Sequence, residues 1–195
     1  NSTDPALAVI RAMRHDAALA DICFIDANNG WAVGDRGVIC HTADAGATWH
    51  EQQSGATTNL SAVSFVDAQR GWAVGGASRP KLQAATRGIV LRTEDGGQTW
   101  TELPRLNLPR LTGVKFFDPT NGIAFGECAP LAPAGVFTTR DGGNTWLPAA
   151  TDYSAAWLAG DFLAADFGAL AGPAGQLATF TRGKVTHSPL AASSL

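Results

Sequence analysis

Three aspartates, Asp44, Asp95 and Asp141, recur in nearly the same setting: Asp44-Ala-Gly-Ala-Thr-Trp49, Asp95-Gly-Gly-Gln-Thr-Trp100 and Asp141-Gly-Gly-Asn-Thr-Trp146. A carboxylate can bind calcium, which takes about 6–8 oxygen ligands, or serve a glycosidase, which needs two carboxyls about 5–9.5 Å apart. Each of these aspartates sits in its own repeat, remote in sequence from the other two. Three equal turns are better explained by three equal hairpins than by one shared site. In such a hairpin the Asp accepts backbone N–H groups of its own turn and the glycines take positive φ. The Trp packs across the turn or on the neighbouring sheet. The expected role of Asp44, Trp49, Asp95, Trp100, Asp141 and Trp146 is therefore structural.

Other chemistry finds little support. His15, His41, His50 and His187 are dispersed, and neighbours in a strand such as Cys40 and His41 point to opposite faces. Cys23, Cys40 and Cys128 have no CxxC spacing and read as small buried apolar residues. There is no GxSxG, HExxH or P-loop. Neither a cofactor nor a metal is expected. A net charge of −3 gives no reason to expect nucleic acid or an anionic membrane as partner, and no stretch has the ~18–20 apolar residues of a membrane span.

The boxes belong to a longer repeat, and that repeat sets the elements. Copy one reads Phe24-Ile-Asp26, Asn29-Gly-Trp-Ala-Val-Gly34, Gly37–Thr42 and the Asp44 box; copy two reads Phe65-Val-Asp67, Arg70-Gly-Trp-Ala-Val-Gly75, Gly88–Thr93 and the Asp95 box. Copy three reads Phe117-Asp118, Asn121-Gly-Ile-Ala-Phe-Gly126, Gly135–Thr139 and the Asp141 box. A worn fourth copy keeps Phe162, Gly168–Gly172 and Gly175–Thr179 but has Arg182 and His187 where Asp and Trp should follow. The closing tryptophans lie 51 and 46 residues apart, the length of one four-stranded blade. Strand a alternates and ends in an Asx turn, strand b is short and glycine-rich, strand c is β-branched, and strand d begins at the Trp.

The fold expected is all-β: about four four-stranded antiparallel sheets as β-propeller blades, over approximately 20–55, 60–106, 111–150 and 155–190. Residues 1–19 form a separate N-terminal segment. Within it Ala6–Met13 reads as an outer strand closing the ring on blade four, or as a short helix capped by Thr3-Asp4-Pro5. The core should hold Phe24, Trp31, Trp49, Phe65, Trp72, Trp100, Phe116 or Phe117, Phe125 and Trp146.

The motif carried by Phe65–Asp67, Gly71–Gly75, Gly88–Val90 and Thr93–Trp100 resembles the photosystem II stability/assembly-factor propellers, over roughly residues 20–187. The resemblance implies a non-enzymatic assembly module and an extracytoplasmic setting: periplasmic, secreted or thylakoid-lumen-like. It is looser to the sialidases, whose three arginines and nucleophilic tyrosine are not matched: the single tyrosine is Tyr153 and no Arg-Ile-Pro motif precedes the boxes. Family rings close with about seven blades. This chain is thus a piece of a longer protein, a compact four-bladed ring or half of an assembled one.

Function should sit where the repeats disagree. From the strand-a Asp to the box Trp is 23, 33 and 28 residues in copies one to three, the excess lying in the b–c loops. Insertions on one face of a repeat protein often mark its binding face. Arg79, Lys81 and Arg87 of that loop, with Arg105 and Arg110 of the next d–a link, form a candidate basic patch for another protein or assembly. The alternative is a carbohydrate-binding or glycoside-hydrolase-like propeller, related to the sialidases.

Overall fold

The computed structural model describes residues 16–77, 87–103 and 107–189; Ala6–Met13 lies outside them. Sixteen strands form four antiparallel sheets, each in plain sequence order. Blade one is β1 (Leu19–Phe24), β2 (Gly30–Gly34), β3 (Ile39–Thr42) and β4 (His50–Gln52). Blade two is β5 (Leu60–Phe65), β6 (Gly71–Ala77), β7 (Arg87–Thr93) and β8 (Thr101–Glu102). Blade three is β9 (Leu111–Phe116), β10 (Gly122–Gly126), β11 (Val136–Thr139) and β12 (Leu147–Pro148). Blade four is β13 (Ala159–Ala164), β14 (Phe167–Ala171), β15 (Leu177–Thr181) and β16 (Lys184–His187).

The a and b strands share one register throughout. Phe24 faces Gly30, Phe65 faces Gly71, Phe116 faces Gly122 and Phe162 faces Gly168. The phenylalanine ring lies over the glycine, where a Cβ would collide with it. That close approach is why every copy keeps Gly opposite the strand-a phenylalanine, as the first residue of strand b in blades one to three and the second in blade four. It also fixes Phe116, not Phe117, as the third copy's equivalent.

Strands β1, β5, β9 and β13 line a common axial cleft of about 670 Å³. Each blade then stacks on the next. One core joins blades one and two through Trp31, Val33, Ile39, Val63, Phe65 and Leu91. A second joins two and three through Trp72, Val74, Leu103, Val114 and Phe116, and a third joins three and four through Ile123, Phe125, Val136, Phe162 and Phe180. Among the described residues, four blades share three cores and none joins blade four to blade one. The described blades form an open arc.

That corrects part of the expected core. Trp31, Phe65, Trp72, Trp100, Phe116 and Phe125 are buried and Trp146 is partly buried, but Phe24 and Trp49 are 43% and 37% exposed. They occupy, in blade one, the side that a preceding blade covers in blades two and three. Trp157, absent from the expected core, is fully buried at the register position of Leu60 and Leu111, its Nε1–H donating to the Ala134 carbonyl at 2.7 Å. The cysteines also differ from expectation: Cys23 and Cys40 are half-buried and Cys128 is exposed, all three free.

Candidate binding face

The two ends of each blade are distinct. On one, the a–b turn meets the Asp box: Ala45 N–H donates to Asn28 O, Gly96 N–H to Gln69 O and Gly142 N–H to Thr120 O. In blades one to three the a–b turn is an Asx turn made by the strand-a aspartate, with Asp26 accepting from the Asn28 and Asn29 N–H groups, both at 2.7 Å. Asp67 and Asp118 repeat this.

The Asp boxes are closed local circuits. Asp44 Oδ1 accepts from the Thr48 N–H at 2.8 Å and the Thr42 hydroxyl at 2.8 Å, and its Oδ2 accepts the Thr48 hydroxyl at 2.6 Å. The Thr42 hydroxyl oxygen accepts the Gly46 N–H at 2.9 Å. The same bonds recur around Asp95 with Thr93 and Thr99, and around Asp141 with Thr139 and Thr145. The Thr48 hydroxyl and N–H pull the Asp44 carboxyl down to about 2. Asp95 is lowered for the same reason by Thr99. Partial burial pushes Asp141 up, but the Thr145 hydroxyl and N–H outweigh it, and it too is lowered. Both oxygens of each carboxylate are thus engaged inside its own turn.

Blade four dispenses with the box. Thr181 pairs directly with Lys184 across a two-residue turn, Arg182-Gly183, with φ of 49° and 81°. Consecutive positive φ is the tight hairpin geometry of right-twisted strands. His187 therefore lies within β16 rather than replacing the Trp.

At the opposite end, b–c loops meet d–a links: Gly76 N–H donates to Asn59 O, Gly88 N–H to Leu108 O and Glu127 N–H to Arg110 O. Of the candidate patch, Arg79, Lys81 and Arg105 lie outside the described residues. Arg87 and Arg110 lie within them and come together: a Cβ on Gly76 would meet the Arg87 carbonyl and lie 3.1 Å from the Arg110 Cα. Both are ion-paired, Arg87 with Glu102 at 3.1 Å and Arg110 with Glu127 at 3.9 Å. The described part of the patch is therefore a mixed-charge edge. Beside it a cleft of about 250 Å³ is lined by Gly55–Thr58 on one side and by Ala77, Arg87, Gly88 and Ile89 on the other, with Glu102. In copy three the extra residues make a compact turn, Ala129 bridging Ala132, with Leu131 92% exposed at its tip.

Sequence reasoning missed Arg36 on this face. It holds φ of 57° in the b–c loop of blade one, and its Nε and Nη2 are buried with no hydrogen-bond partner. A Gly-Asp-Arg-Gly run was its only signal. Among the described residues no group of three or more His, Cys, Asp or Glu is placed to hold a metal, and no helix is long and apolar enough to cross a membrane.

The repeat geometry agrees with what the chain is similar to. The model of the family described as photosynthesis system II assembly factor YCF48 matches residues 9–155. This chain belongs to that family. It is 31% identical over 139 residues to the photosystem II assembly lipoprotein Ycf48 of Synechococcus sp. (strain CC9902), covering 70% of this chain and 38% of the relative. A solved structure of YCF48 bound to D1 peptide superposes with a TM-score of 0.68 at 21% identity, over 91% of this chain and 56% of that one. A GH74 enzyme from Niastella koreensis superposes with a TM-score of 0.66 at 16% identity, over 87% of this chain and 30% of that one. Likeness at this level is one of fold, and the fold hosts both an assembly factor and an enzyme. The chain spans well under two thirds of the length of each of these relatives.

Proposed function

We propose that this chain is a non-catalytic protein-binding module acting in assembly, and that it engages its partner through the b–c/d–a face. The observation that carries the reading is membership of the Ycf48 family, one of whose solved relatives is bound to D1 peptide. The divergent loops gather on one face while the turns of the other face are fixed by repeated hydrogen bonds. Each Asp-box carboxylate accepts three hydrogen bonds from its own turn, which supports a structural rather than a catalytic role for it. The lipoprotein relative supports an extracytoplasmic setting.

A peptide partner suits the face. Arg87 and Arg110, ion-paired there with Glu102 and Glu127, can exchange those partners for a peptide's carboxylates. Arg79, Lys81 and Arg105 add positive charge to the same two segments of sequence. The cleft lined by Gly55–Thr58, Ala77 and Arg87, Gly88 and Ile89 offers an edge for extended backbone. Reversing Arg79, Arg87 and Arg105 together to Glu should weaken capture of D1 peptide by at least about tenfold at low salt, with a smaller effect at high salt. Unchanged affinity in a titration of the purified variant would sink this placement of the site. A glycan array run beside it tests the carbohydrate alternative.

A further inference from the structure

The row of side chains that blade one turns toward blade two carries two histidines, His41 and His50, dispersed in the sequence and joined by the sheet. Cys23 pairs with Trp31, Trp31 with His41, and His41 with His50 across β1, β2, β3 and β4. Direct partners on an antiparallel ladder share a face, with Cβ atoms about 4.5–5.5 Å apart. Gln52, two residues along β4 from His50, shows which face this is, because it donates to Gly96 O of blade two at 2.9 Å. His41 and His50 thus stand side by side at the outer rim of the first joint.

His41 is positioned by the joint itself. Its ring stacks on Trp31 at 4.6 Å and 29°, and that indole also stacks on Phe65 at 3.7 Å and 13°. The indole is fixed in turn by its Nε1–H bond to Gly96 O at 3.2 Å. A ring held by its face keeps its nitrogens at the edge, directed along the sheet. Among the described residues no hydrogen bond occupies either imidazole. Burial first, and the neighbouring His50 after it, hold His41 below the usual histidine value, so the two rings are within electrostatic reach of each other. The propeller does not require the pair. The same two row positions are Arg92 and Thr101 in blade two, Thr138 and Leu147 in blade three, and Thr179 and Thr186 in blade four.

We propose that His41 and His50 form a two-imidazole chelate for a divalent late transition-metal ion, of the class of Zn²⁺, Ni²⁺ and Cu²⁺. Imidazole suits these ions, and metal–nitrogen bonds of about 2.0–2.1 Å fit between rings carried on directly opposed Cβ atoms. Each ring gives one nitrogen and water completes the coordination, so the site is open. Because β3 and β4 supply one ligand each, the ion ties the three-residue β4 to the rest of its sheet. The site belongs to the c–d hairpin of blade one and does not depend on the b–c/d–a face.

The test titrates the chain with Ni²⁺ and with Zn²⁺, in a Cys128→Ser background that removes the exposed thiol. Binding is read by calorimetry and by the histidine imidazole resonances in NMR. Saturable binding is expected, with the His41 and His50 resonances shifting or broadening together. His50→Ala, an exposed substitution that leaves the stack on Trp31 in place, should weaken binding by at least about tenfold. His41→Ala should do the same, and the double variant should lose little more, because either single loss already breaks the chelate. No saturable binding up to ~1 mM overturns the proposal. Undiminished affinity in either single variant also overturns it, as does an equal loss in His187→Ala. Should His41→Ala fail to fold, His50→Ala decides alone.

Discussion

Ala45 shows what the Asp-box turn demands of a residue. It holds φ of 59°, where the other two boxes have Gly96 at 72° and Gly142 at 71°. An L-residue with a Cβ is held there at a cost of about 1 kcal/mol. Ala45→Gly should therefore raise stability by about 0.5–1 kcal/mol in a reversible denaturant titration. Gln52 makes the opposite case, because it satisfies Trp100 Nε1 and Gly96 O together. Its counterpart one blade on is Leu103, and there Trp146 Nε1 is buried without a partner. Gln52→Leu should orphan Trp100 in the same way and cost about 1–3 kcal/mol. The box carboxyls set an acid limit. Asp44, Asp95 and Asp141 are all lowered, so their contribution is complete above the unfolded value near ~4. It is lost as pH falls through the folded values, about 2 for Asp44. Urea midpoints measured from pH 5 to pH 2 should fall across that window, and less steeply in Asp44→Asn.

Among the elements, the joints between blades are unequal. The first two each have a stacked tryptophan and an indole hydrogen bond to the next box. At the third, strand b carries Ile123, and blade four has no box to receive an indole. The two losses belong together, since the donor and its acceptor turn form one device. Trp72→Ala should cost about 3–5 kcal/mol, because it removes a fully buried ring, its stack on Phe116 and its bond to Gly142. In a linear array, stability is close to a sum of unit and neighbour terms. Native-state hydrogen exchange should then show β13–β16 opening at lower free energy than β5–β11, and equal protection across all four blades would contradict it.

For the molecule as a whole, the repeat in the sequence determined the four-blade count, the strand order and the box turns. Each follows from short-range chemistry: an Asx turn at Asp26, positive φ at Gly97, a glycine beneath the Phe65 ring. The third copy was harder to read because Phe116 and Phe117 are adjacent, and only pairing with Gly122 separates them. Trp157 could have been found by counting five residues back from Phe162, as Leu60 stands to Phe65, but its residue type hid the match. The candidate basic patch was legible only as composition. That Arg87 and Arg110 converge at Gly76 while Glu102 and Glu127 partner them depends on contacts between loops that share no pattern. Tertiary structure alone also decided the fate of identical motifs. Phe65 and Phe24 are the same residue in the same repeat, one buried and one exposed. A sequence pattern fixes what a side chain offers to its neighbour, and burial depends on whether that neighbour is there.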